Sequence, residues 1–107
     1  MAEKTIRGTT PDITFNLPFN VSTINNVEVY FSQNDNLLLE KGYDDCTMSG
    51  TTLVVPLTQE ETLLFDEEEK LQIQVRFMFT DGSVDATDIV RGKVGKILKD
   101  GVINVRS

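Results

Sequence analysis

The residue type best suited to covalent chemistry here is the thiol, and the chain has a single cysteine, Cys46, between Asp45 and Thr47. A nucleophilic thiol needs a neighbouring base, cation or helix N-terminus to lower its pKa. Asp44 and Asp45 push the other way, and there is no histidine to act as base. Without histidine there is no Ser–His or Cys–His pair and no imidazole metal site. One cysteine also rules out an internal disulfide, a thiolate zinc cluster and a CxxC redox pair. Cys46 therefore reads as a core or edge residue.

Carboxylates are plentiful, at Asp44, Asp45, Glu60, Glu61 and the run Asp66, Glu67, Glu68, Glu69. Glycoside hydrolysis needs two acids across a cleft, one of them buried so that it stays protonated. These acids fall in turns and at a helix start, where water keeps them ionised. Asp81, Ser83 and Asp85 alternate as calcium-loop ligands do, but the EF-hand spacing with its terminal Glu is missing, and a hairpin turn accounts for the same residues. The seven glycines form neither GxGxxG nor GxxxxGK. The expectation is a protein without cofactor or metal that is not an enzyme.

Binding chemistry offers more. Tyr30 and Tyr43 are the aromatic candidates for stacking on a sugar ring, there being no tryptophan. Tyr30 falls on the polar side of its strand and Met78 opposite the core side of another. Together they read either as a second contact surface or as ordinary surface tolerance.

Seventeen acids against ten bases give a net charge of −7, which argues against a nucleic-acid binder, whose affinity rests on neutralising phosphate. The charge is segregated. Residues 35–69 hold ten acids and only Lys41 as base, whereas residues 91–107 hold Arg91, Lys93, Lys96, Lys99 and Arg106 with only Asp100 as acid. This reads as a solvated acidic surface beside a basic last strand, or as opposite-signed regions that steer copies or a partner together.

Strands must position these groups. Period-two alternation recurs at Ile13–Phe19, Val27–Phe31, Leu53–Leu57 and Leu71–Phe79, with a shorter strand from Leu37 to Gly42 and a weak one over 43–49. Gln33–Asn36 and Thr80–Ser83 carry turn chemistry, the latter a hairpin into a return strand from Val84 to Val90. Residues 93–105 read as a last strand with bends at Gly95 and Gly101. Thr58-Gln59-Glu60-Glu61 matches a capping box, so 58–65 is a short helical crossover. The acid run after it reads as a solvated turn guarding the aggregation-prone strand that follows.

The 107 residues suit one domain. Seven or eight short strands with one crossover predict an all-β, antiparallel, immunoglobulin-like β-sandwich over residues 11–107, without the disulfide and buried tryptophan of antibody domains. Residues 1–10 precede the first confident strand and are expected to form an N-terminal arm. No apolar run is long enough to span a membrane, and Met1–Thr5 lacks the basic-then-apolar pattern of a secretion signal.

Several segments resemble a known group: Leu57-Thr58-Gln59-Glu60-Glu61-Thr62-Leu63-Leu64-Phe65, Leu71-Gln72-Ile73-Gln74-Val75-Arg76, Thr80-Asp81-Gly82-Ser83 and Leu98-Lys99-Asp100-Gly101-Val102-Ile103. In this order they are similar to tail- and baseplate-associated β-sandwich domains of phages infecting Gram-positive bacteria, including the N-terminal domain of upper baseplate proteins. The similarity covers about half the chain, residues 53–103. It implies a virion structural role, or a prophage remnant of one, for a protein made in the bacterial cytoplasm. Such proteins often carry a receptor-binding region after this domain; with the sequence running to Ser107, the expectation is a stand-alone adaptor, tail or decoration subunit.

The expected partners are further copies of itself, as a homo-oligomer, or other virion proteins, with neither nucleic acid nor membrane. The expected interface residues are Tyr30, Met78, the run Asp66, Glu67, Glu68, Glu69, and the bases Arg91, Lys93, Lys96, Lys99 and Arg106. A small glycan-binding module using Tyr30 and Tyr43, or an inhibitor of a host protein, are the alternatives.

Overall fold

The computed structural model describes residues Lys4–Arg106. Within them, alternating side chains build two facing sheets. The strands are β1 (Lys4–Ile6), β2 (Asp12–Asn16), β3 (Ile24–Gln33), β4 (Asn36–Gly42), β5 (Thr47–Ser49), β6 (Thr52–Pro56), β7 (Leu71–Phe79), β8 (Val84–Ala86) and β9 (Val90–Gly95). The smaller sheet runs β2-β6-β5, and the larger runs β1-β9-β7-β3-β4 with β8 also paired to β7. All neighbours are antiparallel except β1, which lies parallel to β9.

The core lies between the sheets. Val27, Val29 and Phe31 of β3 and Leu71, Ile73, Val75 and Phe77 of β7 face Ile13, Leu53 and Val55 of the smaller sheet. Phe31 stacks on Phe65 from the crossover, and Phe19 meets Phe77 and Phe79 edge-on. Period-two alternation thus leaves every second residue of β3 and β7 facing out.

Turn residues set the register. Asn34 and Asp35 both take positive φ, 49° and 65°, making the two-residue loop that a right-twisted hairpin favours between β3 and β4. The predicted crossover is the short helix α1 (Gln59–Thr62): the Thr58 hydroxyl accepts from the Glu61 amide at 3.1 Å, and the Glu61 carboxylate accepts from the Thr58 amide at 2.8 Å.

Four expectations need correction. Residues 93–105 are not one strand: β9 ends at Gly95, and residues 96–106 have no regular structure. Side chains hold that segment instead, since Arg7 reaches Asp100 and the Gln59 amide bonds both the N–H and the carbonyl of Ile103. Lys4–Ile6, expected in an N-terminal arm before the first strand, are β1 of the larger sheet, with Thr5 buried; Met1–Glu3 of that arm, like Ser107, lie outside the described residues. The return strand from Val84 to Val90 breaks between β8 and β9, where Thr87 swaps one ladder bond for a side-chain bond. Its N–H donates to the Val75 carbonyl at 2.9 Å, but Val75 N donates to Thr87 Oγ1 at 3.1 Å, while the Thr87 carbonyl accepts from the Gln74 side-chain amide. Finally, 43–49 opens with a 3-10 turn over Tyr43–Asp45, closed by the Asp45 carboxylate on Gly42 N, before β5 begins.

Candidate protein-interaction face

The outward side of the larger sheet collects residues that local alternation turns away from the core. Register aligns them in rows: Leu37, Ser32, Gln72 and Arg91; then Glu40, Tyr30 and Gln74; then Glu28 and Arg76; then Asn26, Met78 and Val84. Tyr30 stands near the middle. Its hydroxyl donates to Glu28 and accepts from Arg76 Nη1 at 3.3 Å. Burial, together with the Glu28 carboxylate beside it, raises the Tyr30 phenol above its ordinary value, so it stays a neutral donor.

Around this polar centre lie apolar side chains with much of their surface in water: Leu37 at 58%, Val84 at 51%, Ile89 at 44% and Met78 at 42%. They border two shallow depressions. One, of about 110 Å³, lies over Glu28, Arg76, Met78 and Val84. The other, of about 130 Å³, lies over Tyr30, Ser32, Leu37, Gln72, Gln74 and Ile89. Both are well below the ~300–1,000 Å³ of a typical small-molecule site. A face of this kind, with apolar side chains around an anchored aromatic and charges at its edges, suits contact with another protein.

The remaining expected site residues divide. Arg91 and Lys93 project from β9 onto this same face. Lys96, Lys99 and Arg106 lie on the irregular segment after it, so the five bases do not form one strand. Asp66, Glu67, Glu68 and Glu69 form the turn between α1 and β7, away from this face. Gln33 holds that turn: its amide nitrogen donates to the carbonyls of Asp66 and Glu69, and its oxygen accepts from Asp66 N. Glu67 pairs with Arg7 at 3.4 Å, so the base that meets the acid run within the chain is one outside the basic set.

Cys46 is half-buried, and burial followed by the Asp45 charge pushes its thiol up. Asp81 is spent on its own hairpin, accepting from the amide and hydroxyl of Ser83. No group of three or more metal-ligating side chains occurs among the described residues. The ring–ring contacts there all join phenylalanines, so Tyr30 and Tyr43 make no shared aromatic platform.

Alternation at Gln72, Gln74, Arg76 and Met78 signalled the outward side of β7. The same alternation put Glu28 beside Tyr30 on the outward side of β3, whereas Glu40, Val84 and Ile89 went unmarked, because their membership depends on cross-strand register that only the folded sheet supplies.

No protein-family model and no curated protein matches the chain. Among solved structures it is similar to the fibronectin(III)-like modules of Clostridium thermocellum CbhA, with a TM-score of 0.50 and 13% identity over 92% of this chain and 89% of that one. It is also similar to the immunoglobulin-like domain of mouse leukocyte-associated immunoglobulin-like receptor 1, crystallised as a strand-swapped dimer, with a TM-score of 0.45 and 10% identity over 87% of this chain and 86% of that one. The chain is an immunoglobulin-like β-sandwich. At such identities the likeness concerns fold alone, and activity has to be argued from the site. In this immunoglobulin-like domain the described residues include no helix long and apolar enough to cross a membrane.

Proposed function

We propose that this domain is a non-catalytic assembly module of a phage particle, docking on a protein partner through the outward face of its larger sheet. The observation that carries the reading is the anchored Tyr30, held by Glu28 and Arg76 amid the exposed Leu37, Met78, Val84 and Ile89. Rigid aromatics ringed by apolar surface give contact area at little entropic cost. A protein partner also fits the shallowness of the two depressions, since flat surfaces mate with flat surfaces.

The virion assignment is supported by the sequence resemblance, whose segments fall on α1, β7, the β7–β8 hairpin and residues 98–103. The non-catalytic reading is supported by the half-buried, base-free Cys46 and by acids committed to caps and turns.

The test is particle composition combined with site-specific crosslinking. The protein should be found in purified virions, and a photo-crosslinking residue at Met78 should join it there to a virion protein or to another copy. Tyr30→Ala with Met78→Glu should remove it from particles while leaving its thermal melting within a few degrees. A protein missing from particles would sink the virion role. Unchanged incorporation of the double variant would sink the face.

A further inference from the structure

The two long sides of this face carry opposite charge. On one side, β9, with only the three-residue β1 outside it, presents Arg91 and Lys93, both exposed. On the other, the β3–β4 hairpin presents Glu40 and, at its tip, Asp35, also exposed. Between them runs the depression lined by Tyr30, Leu37 and Ile89.

From this arrangement, and resting on the reading of the face as a contact surface, we infer that two copies of this chain pair face to face about a two-fold axis lying parallel to the strands. A homodimer interface is self-complementary: each patch must meet its counterpart across the axis. Two axes in the plane of the face are available. An axis running across the strands would lay β9 on β9 and hairpin on hairpin, putting like charges together. An axis along the strands exchanges the sides, so the β9 bases of each copy come over the hairpin acids of the other.

Register makes this specific. Arg91 lies on the row of Gln72, Ser32 and Leu37, so across that axis it comes over Leu37 of the second copy. Glu40 pairs with Tyr30, two residues along β3 from Ser32, which is about 7 Å along the strand and within the reach of an arginine side chain. Lys93 lies two residues beyond Arg91, toward the end of the sheet that carries Asp35. Each Arg91–Glu40 contact occurs twice.

The face is just large enough. β3 and β7, of ten and nine residues, run about 30 Å, and β4 and β9, of seven and six, about 20 Å. At about 4.8 Å spacing they offer roughly 500 Å² per copy, about 1,000 Å² in total, the threshold for a specific interface. Such a dimer is weak and salt-sensitive, because its charges are at the rim.

Sedimentation analysis of the full chain tests this with two charge reversals, Glu40→Lys and Arg91→Glu. Both positions are exposed, and matched melting curves check that each variant is folded. The wild type should dimerise at about 100 µM in low salt and weaken about tenfold or more in ~0.5 M salt. Each variant alone places like charges at both contacts and should be monomeric. Mixed in equal amounts they restore two attractive contacts, so a heterodimer should form.

A wild type that stays monomeric in low salt, variants that dimerise like the wild type, or a mixture that stays monomeric would each overturn the proposal. The two readings remain separable. Met78 crosslinked to a different virion protein in particles, with a monomeric wild type in solution, would keep the face as a docking surface and remove the self-pairing.

Discussion

Lys41 and Glu61 form an ion pair that ties the edge of the larger sheet to the crossover helix, with Lys41 Nζ 2.7 and 2.9 Å from the two carboxylate oxygens. Lys41 pairs with Val29 across β3–β4 and so points inward, unlike Glu40 beside it. The same Glu61 caps α1 through Thr58. One carboxylate therefore satisfies a buried ammonium and a helix-start N–H together.

Acid should weaken this joint. Burial alone would raise the Glu61 carboxyl, but the Lys41 ammonium and the Thr58 donors outweigh it and hold it below its usual value. A depressed folded-state pKa contributes stability that is full above the unfolded value near ~4.3 and is lost as pH falls through the folded value. The wild type should therefore lose more stability between about pH 5 and 3 than Glu61→Gln does. At neutral pH, Lys41→Ala should cost about 2 kcal/mol in denaturant melts. Equal acid sensitivity of wild type and Glu61→Gln would show that the pair contributes nothing.

Gln33 is the second joint. Only 3% exposed, it satisfies three backbone groups of the acid turn, with distances of 2.7, 2.9 and 2.7 Å. Truncation leaves buried backbone groups without partners, each of which carries a desolvation cost. Gln33→Ala should cost about 3 kcal/mol and speed amide exchange at Asp66, whose N–H loses its acceptor. Gln33→Glu keeps one acceptor but adds a charge beside four carboxylates, and should be at least as damaging.

These joints show what the sequence could and could not reveal. Alternation marked β3 and β7 because one face of each is buried, and the Thr58–Glu61 spacing marked α1 because capping is local. The Asn34–Asp35 turn was legible for the same reason. Gln33 looked like part of that turn, and its role depends on residues more than thirty positions away. Lys41 looked like a lone base in an acidic stretch. β1 was hidden because three residues carry no period, and their pairing to β9 is long-range. The loose spacing of Val94, Ile97, Leu98, Val102 and Ile103 suggested one last strand, yet among the described residues nothing pairs with the chain beyond Gly95, where Arg7 and Gln59 anchor it. The face itself was half legible: Tyr30 and Met78 stood out by alternation, whereas the separation of Glu40 from Arg91 across four strands follows from topology.

Cys46 should be a slow thiol. Burial, then the Asp45 carboxylate, raises it above its ordinary value, while Lys41 opposes them more weakly. The thiolate fraction at pH 8 is correspondingly small, so alkylation by iodoacetamide should run roughly threefold or more slower than for an exposed cysteine peptide. Asp45→Asn keeps an acceptor for Gly42 N and removes the charge, so the reaction should speed up. A rate equal to that of the free peptide would contradict the buried placement.

Arg7 decides whether residues 96–106 stay on the sandwich. Its backbone N–H donates to Gly95 at 3.0 Å beside the last residue pair of β1 and β9. Its guanidinium donates to Asp100 at 2.6 Å, to the Leu63 carbonyl at 3.2 Å and to Glu67 at 3.4 Å. Gly8 follows at a positive φ of 75°, and a Cβ there would lie 3.2 Å from Ile97, so the segment passes close over this corner. Among the described residues, removing the guanidinium leaves the Gln59 pair on Ile103 as the remaining polar anchor of the segment. Arg7→Ala should cost about 1–2 kcal/mol overall. It should raise proteolytic cleavage at Lys96 and Lys99 well beyond that, since the loosened segment opens without global unfolding. Arg7→Lys keeps the charge but not the fork that reaches three acceptors, and should give an intermediate cleavage rate. Cleavage unchanged in both variants would mean that packing of Ile97, rather than the arginine, holds the segment in place.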